Sequence, residues 1–292
     1  MVPQDDVQRQ YAPGQQELTG YLNEEKPPGV LLFVHLPRTA GTTLNGILGR
    51  QYVGDAFLKL PDGFAMRNDQ IVVGSDPLVG LSSERLGRLR AISGHMSIGL
   101  DRRLSRPARY LTVLRDPVAR VVSLYQYIRA NPRHRFHAQI VGENLTLKEC
   151  LTRPFVQFNN GQLRMLTGTI SRHLLGHGVD DAELLAQAKR TLDRQCDLVG
   201  TTSRFDEFLV LAWQRYRWQV PLYRRNNVSP ATLSTPELDL ETRALAEQQN
   251  VMDRELYRYA DERLTYAVQV AGPQFQRQAR LFSMLNAAGG RT

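Results

Sequence analysis

The stretch that most constrains the fold is residues 30–50, VLLFVHLPRTAGTTLNGILGR. Val30 to His35 is a short apolar run of the kind that forms a central parallel strand. A Pro-Arg-Thr-Ala-Gly turn follows, and from Thr42 to Tyr52 the residues Leu44, Ile47 and Leu48 recur at helical spacing. A helix that starts at so tight a turn leaves backbone N–H groups without intrahelical partners, with the positive end of its dipole behind them. That is the make-up of an anion site. Gly41 lets the backbone approach a ligand closely, Thr42 and Thr43 add hydroxyl donors, and Arg38 adds a fixed positive charge. The same residues also suit an ordinary βα turn with a capping threonine, and the turn alone does not choose between the two.

A nucleoside triphosphate is a poor match for this turn. The phosphate loop of ATP- and GTP-binding proteins needs Gly, four residues, then Gly-Lys-Ser/Thr. Here Gly41 and Thr43 fit, but Leu36 stands at the first glycine and Thr42 at the lysine. A kinase is therefore the disfavoured alternative.

A second strand-to-helix junction lies at YLTVLRDPVARVVSLYQYIR. Residues 109–114 read as a strand, and the proline after Arg115 and Asp116 suits the first turn of a helix reaching about Arg129. Ser123 lies eight residues after Arg115, about two helical turns, so both can face one side. Arg115 offers a planar fork of donors and Ser123 a hydroxyl. Alone, Arg115 paired with Asp116 and a solvated Ser123 would explain this segment equally. Together the two junctions are more specific, because ligands of open parallel sheets sit outside the carboxyl ends of the strands. Two anion sites there imply a nucleotide with two separate phosphate positions.

The rest of the chain fits an α/β fold with a P-loop-like central parallel sheet flanked by helices and a mainly helical C-terminal half. Residues 70–80 suggest a further strand, 82–89 a short helix leading to a strand ending near Ser93, and 196–200 another strand. Segments 159–167, 181–194, 203–218, 237–248, 250–270 and 273–285 carry helical spacing, with Ser203 placed to cap its helix and Asp206 to favour its dipole. Residues 1–29 are polar and Pro/Gly-punctuated, a lead-in to a single domain over 30–292.

Net charge is +8, and since residues 1–29 carry −3, the remainder carries +11. Such a surplus favours anionic partners without choosing among nucleotide, glycan, lipid headgroup or nucleic acid. Basic runs interleaved with aromatics are weak, so nucleic acid is not expected; a non-catalytic polyanion-binding protein is the remaining alternative. No run of 18 apolar residues is present, the first residues lack the pattern of a secretory signal, and only Cys150 and Cys196 occur, so a cytoplasmic protein with reduced thiols is expected. His173 and His177 are spaced i, i+4, but no third ligand is close and no metal is expected.

FVHLPRTAGTTL followed by LTVLRDPVARVVSLY resembles the 5′- and 3′-phosphosulfate-binding motifs of sulfotransferases that use 3′-phosphoadenosine 5′-phosphosulfate (PAPS). The flavour is that of the carbohydrate type, including the heparan sulfate 2-O- and 6-O-sulfotransferases. FNNGQLRMLTG (158–168) resembles a segment of the 6-O type, and LVGTTSRFDEFLVLA the later strand–helix junction. The resemblance implies that Arg38, Thr39, Ala40, Gly41, Thr42 and Thr43 cradle the 5′-phosphosulfate and that Arg115 and Ser123 hold the 3′-phosphate. Thr201, Thr202, Arg225 and Asn227 would lie near the nucleotide. It also nominates His95, in AISGHMSIGL, as the base that takes a proton from a hydroxyl of a carbohydrate or glycoconjugate acceptor, a task suited to an imidazole. His35 is read instead as a strand-end residue that shapes the turn. Most relatives carry lysine where this chain has Arg38; arginine keeps the charge and gains a bidentate fork. Arg38 is expected to stabilise the leaving phosphate.

Overall fold

A computed structural model describes residues 26–60, 78, 80–96, 98–168, 180–223 and 238–289. Among the described residues five strands, β1 (Val30–Val34), β2 (Phe57–Lys59), β3 (Ala91–Gly94), β4 (Ala108–Leu114) and β5 (Cys196–Thr201), form one sheet. They lie in the order β2-β3-β1-β4-β5, and every pair is parallel. The helices in the first half are α1 (Gly41–Gln51), α2 (Ser83–Arg88), α3 (Pro117–Ala130), α4 (His137–Gly142) and α5 (Leu147–Thr152). Those in the second half are α6 (Gly161–Leu166), α7 (Asp181–Arg194), α8 (Phe205–Tyr216), α9 (Leu240–Gln249), α10 (Val251–Val270) and α11 (Pro273–Gly289).

β1 is buried along its whole length because both faces of the sheet are covered. Leu31 and Phe33 enter one core cluster with Leu44, Ile47 and Leu48 of α1, Phe208 of α8 and Phe282 of α11. Val30, Leu32 and Val34 enter the opposite one with Leu163 of α6, Leu184 and Leu192 of α7, and Leu256 of α10. This two-sided burial is why the strand reads as a continuous apolar run rather than an alternating one. Each fully buried Leu, Val or Phe contributes roughly 1.5–3 kcal/mol, so the middle strand is strongly fixed. α10 bridges the two cores, with Leu256 and Ala260 in one and Leu264 and Val268 in the other. A third cluster joins α3, α4 and α5 through Ile128, Ile140 and Leu151.

From β1 the chain runs to β2 on one side of the sheet, and from β4 it runs to β5 on the other. Connections leaving neighbouring strands in opposite directions open a crevice at their carboxyl ends, the place where doubly wound sheets bind ligands. Here that crevice lies between the ends of β1 and β4.

Several local expectations shift. The edge strand before β3 is Phe57–Lys59. The strand suggested for residues 70–80 lies mostly outside the described residues, as do His173 and His177. Ser203 does not cap α8; Thr202–Arg204 form a 3-10 turn, Arg204 is the N-cap residue, and Ser203 Oγ pairs with Tyr257 Oη at 2.8 Å. Asp206 does lie in the first turn of α8, on the favourable side of its dipole, and also accepts from Tyr223 Oη and Ser283 Oγ at 2.7 Å each. Among the described residues no helix is long and apolar enough to cross a membrane.

Candidate functional site

The turn after β1 is built on two residues with left-handed backbone, Arg38 (φ 68°) and Ala40 (φ 64°), neither of them glycine. Each costs roughly 1–3 kcal/mol, and such strain is concentrated where a backbone must present a special surface. Left-handed residues within a tight turn curl successive N–H groups toward one point, making an anion-binding concavity. Ala40 is the N-cap of α1 and supplies no side-chain oxygen. The first-turn amides of Gly41, Thr42 and Thr43 therefore have no capping side chain, and the first helical bond runs from Leu44 N–H to Ala40 O, 3.1 Å. Thr39 is buried and its hydroxyl donates to Leu36 O at 2.8 Å, so this side chain braces the turn. Thr42 is exposed and Thr43 partly so.

Gly41 has a reason the sequence did not reveal. A Cβ there would stand 1.7 Å from His35 Nε2, so the glycine is required by an imidazole packed against the helix start.

At the second junction Asp116 caps α3, accepting from Ala119 N–H at 2.8 Å, with Pro117 in the first turn. Arg115 turns the other way. Its Nη1 donates to Arg38 O at 3.1 Å, and Arg38 Nε donates to Ser123 Oγ at 3.0 Å. The Arg38 guanidinium also lies over the Tyr127 ring, 4.7 Å from its centroid, one helical turn beyond Ser123. Arg38, Arg115 and Ser123 therefore meet at the crevice. Burial lowers the pKa of both guanidiniums, and for Arg115 the neighbouring Arg38 charge is the next cause. Two partly desolvated cations side by side favour an anion between them.

β1 and β3 end level with each other, Val34 facing Gly94, so His35 and His95 emerge as neighbours. Their rings stack with centroids 4.4 Å apart. His95 Nδ1 lies 2.6 Å from His35 O. A carbonyl only accepts, so Nδ1 carries the proton in this bond and the lone pair of the neutral ring falls on Nε2. His35 is pushed down to about 3 by burial first, then by the charges of His95, Lys59 and Arg38, so it stays neutral at physiological pH.

Thr201 and Thr202 follow at the end of β5, with Thr201 in register with Leu114, the residue before Arg115. Thr201 is buried, and its hydroxyl pairs with Asp261 and Ser203 at 3.2 Å each. Arg225 and Asn227 lie outside the described residues. Among the described residues no group of three His, Cys, Asp or Glu is placed to hold a metal.

Sequence reasoning missed three participants. Tyr127 carries the Arg38 cation, and only its helical spacing from Ser123 hinted at this. Lys59 adds positive charge near His35 from the end of an edge strand too short to read. Gln162, in the FNNGQLR segment, grips Arg115: its Oε1 accepts from Arg115 N–H at 2.9 Å and its Nε2 donates to Arg115 O at 2.8 Å.

Comparison with known proteins gives two findings. The family model described as galactose-3-O-sulfotransferase matches residues 8–288. Heparan-sulfate 6-O-sulfotransferase 2 of Danio rerio is 27% identical over 201 residues, covering 60% of this chain and 42% of the relative. The match thus spans less than half of that relative's length.

Proposed function

The chain belongs to the galactose-3-O-sulfotransferase family, and from that premise we propose that it moves a sulfuryl group from PAPS to a hydroxyl of a carbohydrate or glycoconjugate acceptor. PAPS supplies an activated sulfuryl group with adenosine 3′,5′-bisphosphate as its leaving portion. The observation that carries the reading is that the Arg115 guanidinium, held on Arg38 O, and the Arg38 guanidinium, held on Ser123 Oγ, meet beside a helix N-terminus that has no side-chain cap.

In this reading the amides of residues 41–43 and Arg38 bind the 5′ end of the donor, and Arg115 with Ser123 binds its 3′-phosphate. His95 Nε2 accepts the proton of the acceptor hydroxyl, while His35 O holds the other ring proton in place and fixes the useful tautomer. Arg38, steadied by Ser123 and Tyr127, faces the charge that develops on the leaving phosphate oxygen. Sulfuryl transfer resembles phosphoryl transfer in depending on positioning and charge stabilisation, which is what these groups supply. Both cysteines are buried and unbridged, and the cytoplasm is the compartment that goes with this reading.

Calorimetric titration tests the donor: adenosine 3′,5′-bisphosphate is expected to bind without magnesium and more tightly than ATP with magnesium. The opposite preference would replace the reading by a kinase. Transfer of labelled sulfate from PAPS to a panel of saccharides then tests the reaction. His95→Ala is expected to lower transfer by at least about 100-fold while leaving bisphosphate affinity unchanged.

A further inference from the structure

We propose that Gln162 is a positioning residue for nucleotide recognition, acting through the backbone of Arg115 to give the site its selectivity for a 3′-phosphate. The inference rests on the assignment of Arg115 to that phosphate. Arg115 stands one residue past the end of β4, where the strand ladder no longer holds its peptide groups. The Gln162 side chain is an amide, and it pairs with the N–H and the C=O of Arg115 as a neighbouring strand would, at 2.9 and 2.8 Å. Both peptide groups being taken, the Cα–Cβ direction of Arg115 is fixed, and with it the origin of the guanidinium fork. The fork in turn holds Arg38 O at 3.1 Å, so the grip extends to the turn after β1.

Gln162 is itself held from a remote part of the chain. It is buried, 1% exposed, and its backbone N–H donates to the Asp253 carboxylate at 3.0 Å, with Leu163 N–H donating at 2.8 Å. Asp253 is fully buried beside Arg120, Nε to Oδ2 3.9 Å, and Arg120 lies on the same helix as Ser123. Asn160 closes the loop, accepting from Met252 and Asp253 N–H at 3.1 and 3.0 Å. Through the Gln162 side chain this buried frame reaches the peptide of Arg115. Hydrogen bonds that fix a charged ligand-binding group act on affinity for the matching charge, whereas general support of the fold acts on all ligands alike.

The experiment is a pair of titrations with adenosine 3′,5′-bisphosphate and adenosine 5′-monophosphate, which lacks only the 3′-phosphate. In the wild type the bisphosphate is expected to bind more tightly. Gln162→Met keeps the length and fills the space but can pair with neither peptide group. Its bisphosphate affinity is expected to fall about tenfold, with monophosphate affinity within about twofold of wild type. Unchanged selectivity, or an equal fall for both nucleotides, would overturn the proposal. Should Gln162→Met not fold, Gln162→Leu gives the same readout, since it is smaller, adds no charge and can pair with neither peptide group of Arg115. A wild type that shows no preference for the bisphosphate would instead overturn the assignment of Arg115 on which the inference rests.

Discussion

At Arg38 the guanidinium is held on two sides, by Ser123 Oγ and by the Tyr127 ring, and its backbone is held left-handed. A lysine would keep the charge but lose the planar fork and most of the stacking. Arg38→Ala is therefore expected to lower kcat/KM for sulfuryl transfer by about 100- to 1000-fold, the usual loss for a group that meets charge developing in a transition state. Arg38→Lys should sit between, about tenfold below wild type. Equal rates for wild type and the alanine variant would remove Arg38 from the mechanism. His35 makes a different kind of prediction. Its folded pKa of about 3 lies below the unfolded value of about 6.5, so the unfolded chain binds the extra proton first. Stability from this group is complete above about pH 6.5 and is lost as pH falls from there toward 3, about 2 kcal/mol by pH 5. Urea unfolding at pH 7 and pH 5 should show that loss in the wild type and a correspondingly smaller one in His35→Asn. Identical slopes in the two proteins would mean that His35 is not buried as described.

The β1–α1 junction behaves as one element because its backbone, glycine and imidazole fit together. Gly41→Ala would drive a methyl into the His35 ring, and an overpacked site of this kind typically costs about 1–3 kcal/mol. His35→Ala in the same chain should recover part of the loss, giving a coupling energy of about 0.5–3 kcal/mol in a double-mutant cycle followed by denaturation. Strict additivity would show that the ring and the glycine do not meet. The junction was legible in sequence because strand, turn and helix are contiguous and each follows from local pattern. The same holds for β4, Arg115 and the Asp116-Pro117 start of α3. What was not legible is non-local: Gln162 meets Arg115 across 47 positions and Asp253 across 91. A glutamine in a short polar segment carries no periodicity that announces such a role. The edge strand β2 was missed because three residues are too few to alternate. Ser203 was misread because a nearby tyrosine competes for its hydroxyl more effectively than the helix start does.

On the scale of the whole molecule, the charge surplus and the two-sided core bear on the same measurement. α10 contributes to the clusters on both faces of the sheet, so neither face can unfold while leaving the other intact. The single domain proposed over residues 30–292 then predicts one cooperative calorimetric transition. A ligand that binds only the folded state shifts that transition as a unit, by about 2.7 kcal/mol when present at 100 times its Kd. For a chain of this size that is roughly 5 °C. Adenosine 3′,5′-bisphosphate without magnesium is expected to give this shift, and Arg115→Ala to abolish most of it. Added salt should reduce the shift only in part, because the partly buried arginine cluster is screened less than exposed surface charge. Two transitions, with the nucleotide moving one of them, would divide the chain into separate domains. A single transition that moves with magnesium–ATP and not with the bisphosphate would leave the fold standing and change the donor.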